Sequence, residues 1–171
     1  MNLVVVGVGD CRVSNDPESV LVTYALGTCI AVMIHDPVAG VGGLLHFMLP
    51  NSSLDPAKAR QKPFVFADTG IPLLFHSAYD LGAEKGRLVV SAVGGAQVMD
   101  QQGNFNIGMR NHLAMRKILR NAGVPLQAEE VGGAASRTVR LEVSSGRVSV
   151  REAGAEDQDL LPAGSLARRS L

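Results

Sequence analysis

The sequence has no tryptophan, few aromatic residues and no excess of charge of either sign. Aromatic residues make up 4% of its 171 positions, which argues against base-stacking platforms and aromatic sugar-binding sites. Sixteen basic and sixteen acidic residues give a formal charge of zero, so no long-range field attracts phosphate backbones or anionic lipid. Nucleic acid and membrane surfaces are therefore not expected as partners.

Cysteine is scarce, and long apolar runs are missing. Only Cys11 and Cys29 occur, and 46% of the residues are hydrophobic, so a core can form without the support of a disulfide. Reduced thiols and a cytoplasmic location are expected. The apolar run at the N-terminus is far shorter than the roughly 20 residues that cross a bilayer, and it lacks the basic segment of a signal peptide. No membrane insertion is expected.

Two common kinds of ligand site are also absent from the pattern. The histidines and cysteines show no metal-ligand spacing, so no metal site is predicted. Residues 4–10 contain two glycines, but the third glycine and the following helix of a dinucleotide fingerprint are missing. A plain strand followed by a turn is the favoured interpretation, and no cofactor is predicted.

Short β-branched runs are abundant, and most of them lie in the first third of the chain. They predict strands over 3–8, 20–23, 29–34 and 41–49, with a turn over 36–40. Residues 50–63 carry several prolines and polar residues without apolar periodicity, so they are predicted to form a mobile loop. Four strands are thus expected before residue 50, and the last three of them are closely spaced.

The rest of the chain combines helices with further strands. Apolar spacing of three and four residues predicts helices over 68–82 and 109–122, and strands are expected over 87–93 and in a hairpin of 138–143 with 148–150. The basic residues that alternate over 137–151 are expected to lie on a solvated face. Residues 153–171 lose apolar spacing and are predicted to be a disordered tail.

Strands outnumber helices and are grouped rather than strictly alternating with them. This grouping favours the α+β class over a doubly wound sheet. We expect a single domain over 1–152, built as a sandwich-like mixed sheet flanked by helices.

Two apolar strands each carry one reactive side chain, Cys29 and His46. A turn at residues 36–37 lies between them and can bring the two strands side by side. Taken alone, Cys29 is better explained as a small buried hydrophobe and His46 as a satisfied core histidine. A free thiol is mostly protonated at neutral pH, so thiol catalysis needs an imidazole to take its proton. We therefore predict that Cys29 is a nucleophile and His46 its general base.

Residues just before the cysteine complete the candidate site. Thr23 lies six residues before Cys29, and an even offset along a strand points both side chains to one face. Its oxygen is a candidate acceptor for the ring of His46, although an ordinary strand threonine is the alternative. Gly27 and Thr28 leave room for a substrate backbone, and the amide of Cys29 is a candidate oxyanion donor.

A glycine-punctuated polar loop over 103–111 is a second candidate for substrate binding. Asn106, Arg110 and Asn111 carry side chains that can hydrogen-bond a substrate backbone. The alternative is that Asn106 caps the helix that follows.

Several motifs follow one another along the chain: LGTCIAV at 26–32, GGLLHFMLP at 42–50, FAD at 66–68, GGA at 94–96, NIGMRN at 106–111 and GG at 132–133. Together they resemble the CheD family, the chemoreceptor glutamine deamidases of bacterial chemotaxis. The resemblance implies a catalytic triad of Cys29, His46 and Thr23. It also implies a fold like the catalytic domain of the cytotoxic necrotizing factor toxins, an α/β sandwich flanked by helices.

The resemblance further implies a substrate and partners. The expected reaction converts specific glutamines of chemoreceptor cytoplasmic domains to glutamate through a thioester, with release of ammonia. The family is also linked to receptor methylester hydrolysis and to binding of the chemotaxis phosphatase CheC. Two other functions stay open: a non-catalytic binding module of a signalling array, and a different cysteine hydrolase such as a receptor methylesterase.

Overall fold

The computed structural model describes residues 1–97 and 106–168. Within these ranges the strands are β1 (Asn2–Val5), β2 (Asp10–Ser14), β3 (Ser19–Leu26), β4 (Ile30–Asp36), β5 (Val41–Phe47), β6 (Val89–Gly94), β7 (Ala128–Val131), β8 (Arg137–Glu142), β9 (Val148–Glu152) and β10 (Gln158–Leu161). The α-helices are α1 (Pro56–Gln61), α2 (Ala67–Asp80) and α3 (Ile107–Asn121). Among the described residues, no helix has both the length and the apolar character that spanning a bilayer requires.

The strands form two five-stranded sheets. The first sheet has the order β1-β3-β8-β9-β10, and the second has the order β2-β5-β4-β6-β7. The β1–β3 and β6–β7 pairs are parallel and the other neighbours are antiparallel. Two mixed sheets and a small number of helices in one domain agree with the predicted α+β class. The expected pairing is confirmed: β4, the strand that follows Cys29, pairs with β5, the strand that carries His46.

Alternation along β4 divides the core into two layers. Ile30, Val32 and Ile34 pack in a cluster with the apolar faces of α2 and α3, whereas Ala31 and Met33 pack in a cluster with the first sheet. The molecule is therefore layered as sheet, sheet and helices. Every residue of β4 and β5 is buried because both faces of these strands are covered, which explains why their sequences show continuous apolar runs.

Three strands were not expected from the sequence, and all three lie at the edge of a sheet. They are β2 and β7 in the second sheet and β10 in the first. An edge strand has one neighbour and is partly exposed, so polar residues are tolerated in it and the apolar pattern is weak.

Residues 50–63 are more ordered than the predicted mobile loop. They contain a short 3₁₀ turn and α1, whose first residue is Pro56. The side chain of Asp55 accepts a hydrogen bond from the Lys58 amide and caps this helix. Asp and Pro, which suggested a loop, are here the cap and the first residue of a helix.

The tail that was predicted to be disordered over 153–171 instead carries β10, which pairs with β9. Leu161 is buried in the core between the sheets. The side chain of Gln127 also bonds the backbone of Leu166 and Arg168. One buried leucine and a few backbone contacts hold a segment that has no apolar periodicity. Residues 169–171 lie outside the described residues.

Candidate active site

Cys29 and His46 lie at the open end of the β4–β5 pair, away from the turn that joins the two strands. The register places Ala31 opposite His46. Cys29 lies in the bend just before β4 and packs against the same core cluster as Ala31. The face of β4 that carries Ala31 is turned toward the first sheet, since Cys29, Ala31 and Leu44 contribute to the core between the sheets.

Thr23 contacts His46 from the opposite sheet. The Oγ1 atom of Thr23 lies 2.8 Å from Nδ1 of His46, and the same hydroxyl donates to the carbonyl oxygen of Val6 over 2.6 Å. A threonine hydroxyl has a single hydrogen, so it must accept the hydrogen bond from an Nδ1–H group. The proton on Nδ1 leaves Nε2 with a free lone pair, which is the form a general base needs.

The route by which Thr23 reaches the site differs from the expected one. Thr23 is in β3 of the first sheet and Cys29 precedes β4 of the second, so the two do not share one strand face. The chain turns between them at Ala25, which has a left-handed φ of 54°, and the β3–β8 register shifts between Thr23 and Leu26. Thr23 contacts His46 across the space between the two sheets.

Burial sets the protonation of the two reactive groups. His46 is 2% exposed, and burial lowers its pKa to about 4. Burial also raises the pKa of the partly exposed Cys29 thiol, and the amide of Cys29 itself opposes this effect. At neutral pH the resting site therefore holds a neutral thiol and a neutral imidazole.

The second cysteine has a different environment. Cys11 is in β2 and packs against the core that faces the helices, and burial raises its pKa to about 12. It lies on a different face from Cys29, so it has no part in the candidate site.

The loop over residues 27–29 is held by the Gly94-Gly95-Ala96 segment. The amide of Ala96 donates to the Gly27 carbonyl and the amide of Gly95 donates to the Cys29 carbonyl, both over 2.9 Å. Gly94 has a φ of 122°, and a side chain there would collide with the carbonyl oxygen of Cys29. Only glycine allows this close approach.

An open cleft of about 1130 Å³ borders the loop over residues 27–29 at Thr28. Thr28, Met48 and Asn106 are among its lining residues, and Thr28, like Gly27, is partly exposed. Asn106 has a left-handed φ of 36°, and its side chain makes no capping hydrogen bond to α3. Helix capping was the alternative role for Asn106, and the structure does not show it. Residues 103–105 of the predicted binding loop lie outside the described residues.

The other two predicted binding residues differ from each other. Arg110 is exposed on α3. Asn111 is 0% exposed, and its Nδ2 group donates to the carbonyl oxygens of Thr28 and Met48, each over 2.9 Å. Asn111 was predicted to bind the substrate, but its side chain is buried and bonds the protein's own backbone.

Arg137 contacts the Gly94-Gly95-Ala96 segment, which was not expected from the sequence. The alternating basic residues of 137–151 were predicted to be solvated, but Arg137 is 5% exposed. Its Nη1 group donates to the Gly94 carbonyl over 3.2 Å, and its Nε atom lies 3.1 Å from a carboxylate oxygen of Glu130. Its place at the start of β8, on the face shared with Val139 and Leu141, is the one signal that could have indicated burial.

Comparisons with known proteins identify the family of this chain. The family described as CheD chemotactic sensory transduction matches residues 48–152. A probable chemoreceptor glutamine deamidase CheD of Solibacter usitatus is 54% identical over 162 residues, which cover 95% of this chain and 95% of the relative. A second probable deamidase of this name, CheD 2 of Anaeromyxobacter dehalogenans, is 56% identical over 88% of this chain and 95% of its own length. The chemoreceptor glutamine deamidase CheD of Thermotoga maritima is 38% identical over 90% of this chain and 94% of its own length. This chain belongs to the CheD family.

Proposed function

We propose that this protein is a cysteine amidohydrolase that converts specific glutamines of chemoreceptors, the methyl-accepting chemotaxis proteins, to glutamate. The names of its relatives support this substrate. The observation that carries the proposal is the 2.8 Å contact between Thr23 Oγ1 and His46 Nδ1. It leaves His46 Nε2 as a free base at the end of the strand pair where Cys29 also lies.

The first half of the reaction forms a thioester. His46 Nε2 takes the proton of the Cys29 thiol while the sulfur bonds to the carboxamide carbon of the glutamine. The carbonyl π bond opens to an oxyanion, which the Cys29 amide is placed to stabilise. When the C=O bond re-forms, the C–N bond breaks, and His46 gives its proton to the leaving nitrogen. Ammonia departs.

The second half uses the same base. His46 Nε2 takes a proton from water while the water oxygen bonds to the thioester carbon. The C–S bond then breaks, glutamate is released, and the proton returns to the sulfur. Each cycle replaces a neutral side chain of the receptor with a negative one, so the product differs from the substrate in charge.

The protonation of the resting site affects the expected rate. Both groups are neutral at rest, because burial lowers the pKa of His46 and raises the pKa of Cys29. The thiolate is then formed only as the substrate is attacked. Thr23 is neutral and stabilises an imidazolium less than a carboxylate would. We therefore expect a modest turnover rate.

The direct test follows the mass of a receptor cytoplasmic fragment together with ammonia release. Deamidation adds about one dalton for each converted glutamine, and Cys29→Ser should abolish the gain because the remaining hydroxyl is a far weaker nucleophile in this site. Cys11→Ser is the matched control, since that thiol lies on another face, and it should retain the activity.

Other outcomes of the same assay would replace the proposal. Stoichiometric binding without a change of mass would indicate a non-catalytic binding module. A loss of about fourteen daltons from methylated receptor would indicate a methylesterase. Deamidation that persists in Cys29→Ser would contradict the proposed nucleophile.

The proposal extends to the setting of the reaction. We place it in the cytoplasm, where the receptor domains that carry these glutamines lie. Binding of the phosphatase CheC and a likeness of the fold to the catalytic domain of the cytotoxic necrotizing factor toxins stay predictions.

A further inference from the structure

Asn111 joins the two strand ends that carry the reactive groups. One hydrogen bond from its Nδ2 group reaches the carbonyl of Thr28, the residue before the nucleophile. The other reaches the carbonyl of Met48, two residues after His46. Both distances are 2.9 Å and the side chain is 0% exposed, so water does not compete for these bonds.

The helix that carries Asn111 packs against Gly95 and Ala96. A side chain at Gly108, one turn before Asn111, would collide with the carbonyl oxygens of Gly95 and Ala96. Gly95 and Ala96 are the residues that donate to the loop over residues 27–29. The start of α3 therefore lies at a fixed distance from the loop, and the Asn111 amide reaches Thr28 from a rigid element.

The hydrogen bond to Thr28 fixes the direction of the next amide group. The Thr28 carbonyl and the Cys29 N–H belong to one planar trans peptide unit, so they point in opposite directions. With the carbonyl bound to Asn111, the Cys29 N–H must point away from α3. The lowering effect of this amide on the pKa of its own thiol agrees with an N–H directed toward the sulfur.

We propose that Asn111 is a positioning residue that orients the Cys29 N–H as an oxyanion donor while it holds the strand end that follows His46. The proposal rests on the proposed deamidase function. It assigns Asn111 a role in the reaction without contact to the substrate. A donor that is already aimed at the developing charge lowers the barrier without reorganisation.

Two reactions of Cys29 separate this role from simple structural support. Acylation by p-nitrophenyl acetate passes through an oxyanion, whereas alkylation by iodoacetamide displaces iodide from a saturated carbon and forms none. In Asn111→Ala the acylation rate and the kcat for receptor deamidation should fall about 100-fold, the lower range for loss of one oxyanion donor. The alkylation rate should stay within about 3-fold, and KM should change little.

Met115→Ala is the matched control, because Met115 is a buried residue of the same helix, one turn farther along. It loosens the packing of α3 and leaves the Asn111 amide in place. If Asn111→Ala lowered acylation and alkylation equally, or no more than Met115→Ala does, the proposal would be wrong. Should Asn111→Ala fail to fold, Asn111→Leu fills a similar volume without a hydrogen-bond donor, and the same ratio of rates decides.

The failure of the proposed function would be recognised separately. A wild-type protein that releases no ammonia from receptor would overturn the deamidase function. The ratio of acylation to alkylation in wild type and Asn111→Ala would still report on the orientation of the Cys29 amide.

Discussion

The β4–β5 pair has two ends that differ in how their buried polar groups are satisfied. At the turn end, the carboxylate of Asp36 is fully buried, accepts hydrogen bonds from the amides of Val38, Ala39 and Glu84, and pairs with the guanidinium of Arg87. Arg87 Nε lies 3.0 and 3.1 Å from the two carboxylate oxygens of Asp36. The buried charge of Asp36 is therefore fully satisfied, and removal of one of its partners would be costly.

At the open end a buried polar atom is left without a partner. His46 Nε2 makes no hydrogen bond to any residue of the described ranges. Leaving a buried acceptor unsatisfied costs stability, and strain of this kind is concentrated at functional sites. We therefore predict that the turn end of this strand pair maintains the structure, whereas the unpaired His46 Nε2 at the open end acts as a base.

Two buried histidines allow the comparison to be tested, and the largest effect is expected here. His46→Gln keeps a polar side chain of similar length but removes the base, so kcat should fall about 10⁴-fold, as in catalytic triads that lose their histidine function. His35, near the turn end, bonds the Val143 carbonyl over 2.8 Å, and His35→Gln should leave kcat within a few-fold. Ammonia release at saturating receptor fragment measures both. Equal losses of kcat would contradict the division between the two ends.

Replacement of Asp36 should have the opposite pattern. Asp36→Ala leaves the Arg87 guanidinium and three backbone amides without their acceptor, and breaking a buried ion pair typically costs about 3–5 kcal/mol. We expect a loss of this size in the free energy of unfolding, measured by urea denaturation. The kcat of the folded fraction should be unchanged. A stable Asp36→Ala protein with reduced kcat would show that the turn end acts in catalysis.

The stability of the protein should depend on pH through His46. Its pKa is about 4 in the folded state and about 6.5 in the unfolded state, so between these values the unfolded chain binds more protons. The stabilisation is complete above about pH 6.5 and is lost as the pH falls to about 4, by about 3 kcal/mol in total. Burial lowers the pKa of His35 as well, so that group acts in the same direction.

Urea denaturation as a function of pH measures this effect. The decline between about pH 6.5 and 4 should be shallower in His46→Gln, and His35→Gln should remove only the smaller part that belongs to His35. A decline of the same steepness in wild type and His46→Gln would mean that His46 is not the buried neutral group responsible.

The central strands could be predicted from the sequence and the edge strands could not. β4 and β5 are covered on both faces, so their apolar runs are continuous and easily recognised. β7, with the sequence AEEV, has one neighbouring strand and is only partly buried, so its formation depends on pairing with β6 rather than on its own pattern. Segments of this kind gain their structure from the tertiary fold.

The site, like the fold, could be predicted only in part from the sequence. The pairing of β4 with β5, which places Cys29 and His46 at the same end of the strand pair, follows from a short turn between the two strands, which a sequence displays. The contact of Thr23 with His46 was expected from the family resemblance and is present, but it joins two sheets, a relation that strand periodicity does not contain. The partners of Asn111 are backbone carbonyls 83 and 63 residues away. A backbone acceptor leaves no side-chain signal, so this role could not be predicted.

The smallest effect is expected at Thr23. Its replacement tests what keeps Nε2 of His46 unprotonated at the open end of the strand pair. Thr23→Val preserves the shape of the side chain but removes the acceptor for Nδ1–H, so the imidazole is free to carry its proton on Nε2 instead. Hydrogen-bond partners that orient metal-bound histidines are worth about 10–100-fold in affinity or activity, and we expect a loss of this size in kcat with little change in KM. Thr23→Ser restores the hydroxyl and should recover most of the rate. Because His46 Nε2 has no partner among the described residues, the hydroxyl of Thr23 is the group that selects the tautomer. If Thr23→Val kept the wild-type kcat, another group would have to hold the Nδ1 proton.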